Sequence, residues 1–125
     1  MKSDLVPDYW REFLKSNSLA GKEIEFPWPG EDDLTACLEI LSEEMIEKEA
    51  KEYWPGIGIL KDGYISIGGC DSGDQFCINL KEGKGGPLYL VDHERVGPEG
   101  YDKEEAILLM LKNYEELLNY TKEEA

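Results

Sequence analysis

The hydrophobic periodicity of this sequence changes near residue 54, and that change constrains the fold more than any other feature. From 54 to 94, short runs rich in β-branched and aromatic residues alternate with turns, and this stretch holds nine of the thirteen glycines. Consecutive short strands with short connections predict an antiparallel meander. Asp62-Gly63 is typical of a hairpin turn, and residues 68–73 are expected to form a tight irregular connector. The predicted strands cover residues 57–60, 64–67, 75–80 and 88–91.

The part of the chain before residue 54 is predicted to be mainly helical. Residues 5–17 carry an aromatic and apolar stripe at helical spacing, and residues 24–26 alternate as a short strand does. A second helical region is expected over residues 32–53, with Asp32 or Asp33 as its N-cap and with a break at Ser42 left open. The apolar stripe of that second region consists of Leu34, Cys37, Leu38, Leu41, Met45 and Ile46.

Residues 103–120 allow two interpretations. Asp102 with Glu105 can form a capping box that begins one long helix. Asn113 with Glu116 can equally cap a shorter helix that begins at Tyr114, and the apolar run before it then suits a buried strand.

The charge of the chain is strongly negative, with 28 acidic against 13 basic residues and a net charge of −15. Such a surface repels nucleic acid and anionic membranes, so neither is expected as a partner. It either keeps a small protein soluble or attracts a basic protein partner. The densest acidic stretch, residues 31–52, has nine acidic residues and two lysines.

The residues that could carry chemistry do not form a recognisable catalytic or metal site. His93 is the only histidine, and in a strand its neighbours Asp92 and Glu94 would lie on the opposite face, so a histidine that hydrogen-bonds a loop is favoured. The three cysteines include no CxxC pair, and Cys77 is predicted to be buried. The sequence between residues 68 and 74 lacks an EF-hand pattern. We therefore expect no enzyme activity, no cofactor and no metal.

The segments ISIGGCDSGDQFCINL (residues 65–80) and GPLYLVDHE (residues 86–94) resemble the SUKH superfamily, which contains yeast cell-wall-synthesis regulators and bacterial toxin-immunity proteins. The Gly73-Asp74 step, the Phe76-to-Leu80 strand and the Asp-His-Glu strand end occur in the family's order. Tyr114 stands where the family's closing helix has Phe. The resemblance covers about residues 54–120, and the first 53 residues depart from the family pattern.

The resemblance implies an α+β fold: a curved antiparallel sheet of about four to six strands with helices packed against it, in a single domain over residues 1–125. It also favours a short strand at residues 106–110. Bacterial members of the family resemble immunity proteins that bind and neutralise a cognate toxin, often a nuclease, and carry no catalytic residues. The alternative is a regulatory interaction module with no toxin partner.

The sequence leads us to expect a non-enzymatic protein of the cytoplasm, since it begins without an export signal and its cysteines are odd in number. The expected partner is a protein, specifically a basic toxin domain. The candidate contact residues are acidic side chains in three places: the glycine turn (residues 68–74), the end of the last predicted strand in the 54–94 stretch, and the second helical region. They are Asp71, Asp74, Asp92, Glu94, Glu43 and Glu47.

Overall fold

A computed structural model describes residues 5–30, 33–53, 56–70, 73–97 and 99–120. Its six strands form one curved antiparallel sheet in which each strand pairs with its neighbours in the chain. With the helices packed against it, this is the predicted α+β meander. The strands are β1 (Glu23–Pro27), β2 (Thr35–Ile40), β3 (Tyr64–Gly69), β4 (Gln75–Asn79), β5 (Leu88–Val91) and β6 (Ile107–Leu111).

Helices connect and cover these strands. The α-helices are α1 (Asp8–Asn17), α2 (Glu43–Glu52), α3 (Gly56–Ile59) and α4 (Lys103–Ala106). Three 3-10 helices span Leu60–Asp62, His93–Arg95 and Tyr114–Tyr120. The predicted first helix and the predicted strands at residues 24–26, 64–67, 75–80 and 88–91 are thus confirmed, with small shifts at their ends.

The larger core joins α1 and the C-terminal 3-10 helix to one face of the sheet. Its centre is aromatic: the ring of Tyr114 lies 5.0 Å from those of both Trp10 and Phe13, measured between centroids. Phe76 and Ile78 of β4 join the same core. Because large aromatic side chains remove much apolar surface from water, this cluster accounts for a large share of the stability.

A smaller core lies on the opposite face of the sheet. It contains Cys77 of β4, which is fully buried as predicted, together with Ile59, Tyr64, Val91, Val96 and Ala106. The alternation of β4 between the two cores is that of a strand covered on both faces.

The predicted helix over residues 32–53 is wrong in its first half. Residues 35–40 form β2, which pairs with β1 over five residue positions, and Asp33 precedes a strand instead of capping a helix. Ala36, Leu38 and Ile40 are buried on one face of β2, so a period of two governs the segment. Asp32 lies outside the described residues. The helix begins only at Glu43, where Ser42 Oγ accepts a hydrogen bond from the Met45 amide at 3.4 Å.

The predicted strand at residues 57–60 is also wrong. This segment is α3 followed by a 3-10 turn, and the Ile57 amide donates to the Tyr53 carbonyl at 2.9 Å. Asp62-Gly63 therefore ends a helical turn and does not connect a hairpin. Short apolar runs such as Gly-Ile-Gly-Ile fit either structure, and here Ile59 is buried whereas Ile57 is exposed.

The C-terminal segment follows the second of its two interpretations. β6 pairs with β5, which confirms the strand that the family resemblance favoured, displaced by one residue. Asn113 Oδ1 accepts from the Glu115 amide at 2.7 Å, and Glu116 Oε2 accepts from the Asn113 amide at 3.2 Å. This reciprocal capping starts the last helix at Tyr114.

Candidate functional site

The glycine turn between β3 and β4 is attached to the end of β5 through Asp74 and His93. One carboxylate oxygen of Asp74, Oδ1, lies 2.7 Å from the ring Nδ1 of His93 and accepts a hydrogen bond from its backbone amide at 3.1 Å. Gly73 has a φ of 95°, and a Cβ there would lie 3.2 Å from the imidazole ring. Glycine is therefore required for both the backbone conformation and the close approach of the ring.

The electrostatics of this connection favour a charged imidazole. The hydrogen bond that the imidazole donates to Asp74 raises the pKa of His93 above its usual value, and the charges of Glu94 and Asp92 act in the same direction. His93 begins the 3-10 helix His93–Arg95, so the expectation that it lies on a strand, opposite its neighbours, is wrong. The expectation that it hydrogen-bonds a loop matches the contact with Asp74.

Asp74, Asp92 and His93 bring possible metal ligands within 4.8 Å of one another. However, Asp92 Oδ1 accepts from the Glu94 amide at 3.0 Å, and Asp92 Oδ2 accepts from Arg95 Nε at 3.2 Å. Asp74 Oδ1 and His93 Nδ1 are engaged with each other. The group therefore fits the role of holding the glycine turn against the 3-10 helix.

A second arrangement is an acidic cleft of about 180 Å³ beside the glycine turn. We define the acidic cleft by three glutamates: Glu23 of β1, Glu39 of β2 and Glu49 of α2. Its other lining residues are Cys37, Leu41, Gly69, Cys70 and Gln75. The described lining thus contains three carboxylates and neither lysine nor arginine.

The charges of the acidic cleft are not relieved by their nearest neighbours in the sheet. Glu23 and Glu39 are directly opposite each other in the register of β1 and β2, a pairing of like charges that destabilises a sheet. Burial raises the pKa of Glu49. A cation entering this cleft would offset both effects.

A third arrangement is a cavity of about 390 Å³ that is lined by three tyrosines and by equal numbers of acidic and basic residues. The hydroxyl of Tyr89 donates to Glu82 at 2.7 Å, and that of Tyr101 donates to Asp62 at 2.5 Å. Lys103 Nζ lies 5.7 Å from the centroid of the Tyr64 ring. Because polar groups of this cavity already pair with one another, it is less suited to bind a charged ligand than the acidic cleft is.

The model of the SMI1 / KNR4 family (SUKH-1) matches residues 5–120 of this chain. The chain belongs to this family. The match includes residues 5–53, which lie outside the segment that carried the resemblance in sequence. No curated protein and no solved structure matched the chain.

Membership in SUKH-1 supports a protein-interaction or immunity-type module, in a family whose proteins are generally non-enzymatic. Among the described residues, no helix is long and apolar enough to cross a membrane.

The SUKH-1 fold divides the predicted contact residues into two groups. Asp74, Asp92 and Glu94 lie together where the glycine turn meets the end of β5, and Glu94 is exposed. Glu43 and Glu47 lie on α2, where each is engaged within the chain. Asp71 lies outside the described residues.

The contacts of the two α2 glutamates are ion pairs. Both carboxylate oxygens of Glu43 accept from Arg11, at 2.9 Å and 3.0 Å, and Glu47 pairs with Lys51 at 2.9 Å. Pairing lowers the charge that these side chains offer to another protein.

Sequence reasoning missed the acidic cleft of this SUKH-1 protein because it placed Glu39 on a helix. A strand over residues 35–40 turns Glu39 away from Leu38 and towards Glu23. The alternation of Ala36, Leu38 and Ile40 with less apolar residues could have indicated a strand. The pairing of Glu39 with Glu23, however, depends on the tertiary structure.

Proposed function

We propose that this SUKH-1 protein is a non-enzymatic cytoplasmic immunity protein that binds and neutralises a cognate toxin with a basic surface, of which a nuclease is the favoured class. The observation that carries the proposal is the acidic cleft, because three carboxylates without a neighbouring lysine or arginine in the described lining suit a cationic side chain. Family membership and the net charge of −15 support it.

Neutralisation by occlusion is the mechanism that fits these charges. Nuclease active sites are basic because they hold phosphate, and an acidic surface placed over such a site excludes the substrate. The long-range field speeds the encounter, and a lysine or arginine of the toxin then enters the acidic cleft. A guanidinium group is favoured because its fork of donors can bind two carboxylates at once.

The cluster of Asp74, Asp92 and Glu94 is proposed as a second contact. Glu94 supplies an exposed charge, while Asp74 and Asp92 hold the local backbone through their hydrogen bonds. Glu43, Glu47 and Asp71 stay in the proposal as peripheral contacts. Charges at the rim of an interface change the association rate more than the affinity.

The test first asks whether a toxin gene lies beside this gene, as the proposal predicts, and then uses that toxin domain, purified as an inactive variant. Glu23→Gln combined with Glu39→Gln is compared with the wild type and with Glu12→Gln, an exposed glutamate on α1. We expect the double variant to weaken binding by at least tenfold, about 1.4 kcal/mol, and to reduce its salt dependence. The control variant should bind as the wild type does.

Unchanged affinity and unchanged salt dependence in the double variant would remove the acidic cleft from the interface. Capture of a partner other than a toxin by the tagged chain, in the absence of a neighbouring toxin gene, would favour the alternative of a regulatory interaction module. Protection of cells from the toxin, lost in the double variant but kept in Glu12→Gln, is the corresponding test in vivo.

A further inference from the structure

The two edges of the sheet are built differently. At one edge, β1 has the sequence Glu-Ile-Glu-Phe-Pro, in which Glu23, Glu25 and Pro27 are exposed. Charged residues and proline are the usual means of preventing an edge strand from pairing with another chain. At the other edge, β6 has the sequence Ile-Leu-Leu-Met-Leu and contains no charge.

The edge formed by β6 exposes apolar side chains. Leu108 and Leu109 are each 43% exposed, although neighbouring Met110 and Leu111 are buried. β6 pairs with β5 on one side, and among the described residues no strand pairs with its other side. Unpaired backbone groups beside exposed leucines form a template for a further strand.

We propose that β6 pairs antiparallel with β6 of a second copy of this chain, so that two sheets join edge to edge in a symmetric dimer. This inference goes beyond the proposed function, since it concerns a different surface and needs no toxin.

Charge identifies a second copy as the occupant. Residues 103–112 contain two lysines, Lys103 and Lys112, and two glutamates, Glu104 and Glu105, so this segment is neutral in a chain of net charge −15. A basic partner is attracted to the acidic surfaces elsewhere, whereas a neutral apolar strand offers it little. For a second acidic copy, this neutral edge is the place of least repulsion.

The symmetry of an antiparallel pair adds charge complementarity. The beginning of β6 in one copy lies beside the end of β6 in the other, because a twofold axis relates them. Lys103, Glu104 and Glu105 precede the strand with a net charge of −1, and Lys112 follows it, so net opposite charges come together at both ends of the pair. Parallel pairing would place like charges side by side.

The protected edge explains why such pairing stops at two copies. After β6 pairs with β6, the remaining edges are the two β1 strands, which carry Glu23, Glu25 and Pro27. An isologous contact through one edge therefore closes the assembly.

Sedimentation velocity over a concentration series tests the proposal with the purified full chain. We expect a reversible dimer whose dissociation constant rises at least tenfold in Leu109→Lys, because that change places like charges across the pair. Leu34→Lys is the matched control, since Leu34 is 53% exposed and lies outside β6. Its dissociation constant should equal that of the wild type.

Salt gives an independent readout. The dimer should become tighter as the Debye length falls from about 10 Å at 0.1 M to about 3 Å at 1 M, because salt screens the long-range repulsion between two acidic copies more than it weakens the close charge pairs at the strand ends. This is the reverse of the salt effect expected for a basic toxin. Because the two salt effects have opposite signs, dimer formation and toxin binding can be tested separately, and the failure of one proposal does not contradict the other.

A second variant covers the case in which Leu109→Lys does not fold, as judged by circular dichroism. Leu109→Thr keeps a strand-forming residue and removes apolar area, and it should also weaken the dimer. Amide exchange in wild-type β6 should slow as protein concentration rises. A wild type that stays monomeric at high concentration, or a dimer that Leu109→Lys and Leu109→Thr leave unchanged, overturns the proposal.

Discussion

Asp74 binds His93 through a single oxygen that contacts both the imidazole ring, at 2.7 Å, and the backbone amide, at 3.1 Å. Two contacts to one residue fix both the position of the chain and the orientation of the ring. The connection joins segments 19 residues apart, and it places Gly73 against the ring face. Asp74 therefore holds the end of the glycine turn against the 3-10 helix that follows β5.

The first prediction concerns pH. Since the pKa of His93 is raised in the folded state, the folded chain holds a proton that the unfolded chain releases above about pH 6.5. The stabilisation is fully present below that pH and is lost as pH rises through the raised value. Asp74→Asn should therefore lower the free energy of unfolding by about 0.2–1 kcal/mol at low pH and by less at high pH.

Urea unfolding at about pH 5.5 and about pH 8.5 measures this difference. His93 is the only histidine, so one NMR ring signal reports its titration directly. That signal should move to a lower pKa in Asp74→Asn. An unchanged titration would contradict the assigned contact.

The second prediction concerns the stability cost of the acidic cleft. Glu39→Gln removes one of two like charges that face each other in the sheet, so it should raise the free energy of unfolding by about 0.2–1 kcal/mol. The gain should shrink in high salt, because screening already weakens the repulsion. Glu12→Gln, on the exposed side of α1, should change stability little at either salt concentration. A destabilised Glu39→Gln would mean that Glu39 has a favourable contact.

The third prediction concerns the close approach of β2 and β3. A Cβ on Gly68 would lie 2.2 Å from Leu38 Cδ1 and 2.5 Å from the Glu39 carbonyl oxygen. Because backbone cannot move aside cheaply, Gly68→Ala should cost about 1–3 kcal/mol in thermal or urea unfolding. Gly97→Ala is the control, since a Cβ there meets no atom within 4 Å. Equal stability of the two variants would argue against tight packing of β2 on β3.

The fourth prediction separates the ring of Tyr114 from its hydroxyl. Tyr114→Ala removes a buried ring that contacts Trp10 and Phe13, and should cost about 3–5 kcal/mol. Tyr114→Phe keeps the ring and removes only the hydroxyl, which faces the backbone of Gly85, and it should cost about 1 kcal/mol. Urea unfolding distinguishes the two variants. A Phe variant as unstable as the Ala variant would contradict the conclusion that the ring contributes more to stability than the hydroxyl does.

Much of the fold could be predicted because strands β3 to β5 are short runs of strand-forming residues separated by glycine-rich turns. β2 was missed because Leu34, Leu38 and Leu41 also fit helical spacing, and only burial on pairing shows which period governs. Leu34 and Met45 are in fact exposed. The capping pair Asn113 and Glu116 was visible in sequence, since that signal is local.

The candidate site was less accessible to sequence reasoning than the fold. Asp74 and His93 belong to motifs that the sequence displays, but their contact depends on how β4 and β5 pair. Glu23 and Glu39 are separated by 16 positions and meet only through the register of β1 and β2. The pairing register of two strands cannot be predicted from either segment alone, whereas the periodicity of each segment can.

Because the strands pair in the order in which they are synthesised, every hairpin can form soon after its second strand leaves the ribosome. The larger core cannot be completed as early as the hairpins. It needs Leu117 and Tyr114, which lie in the last described helix, and the ring of Tyr114 packs against Trp10 and Phe13 of α1. A nascent chain would therefore hold a sheet with one uncovered apolar face until residues 114–117 have been synthesised, and this interval is when it is most exposed to aggregation and to proteases.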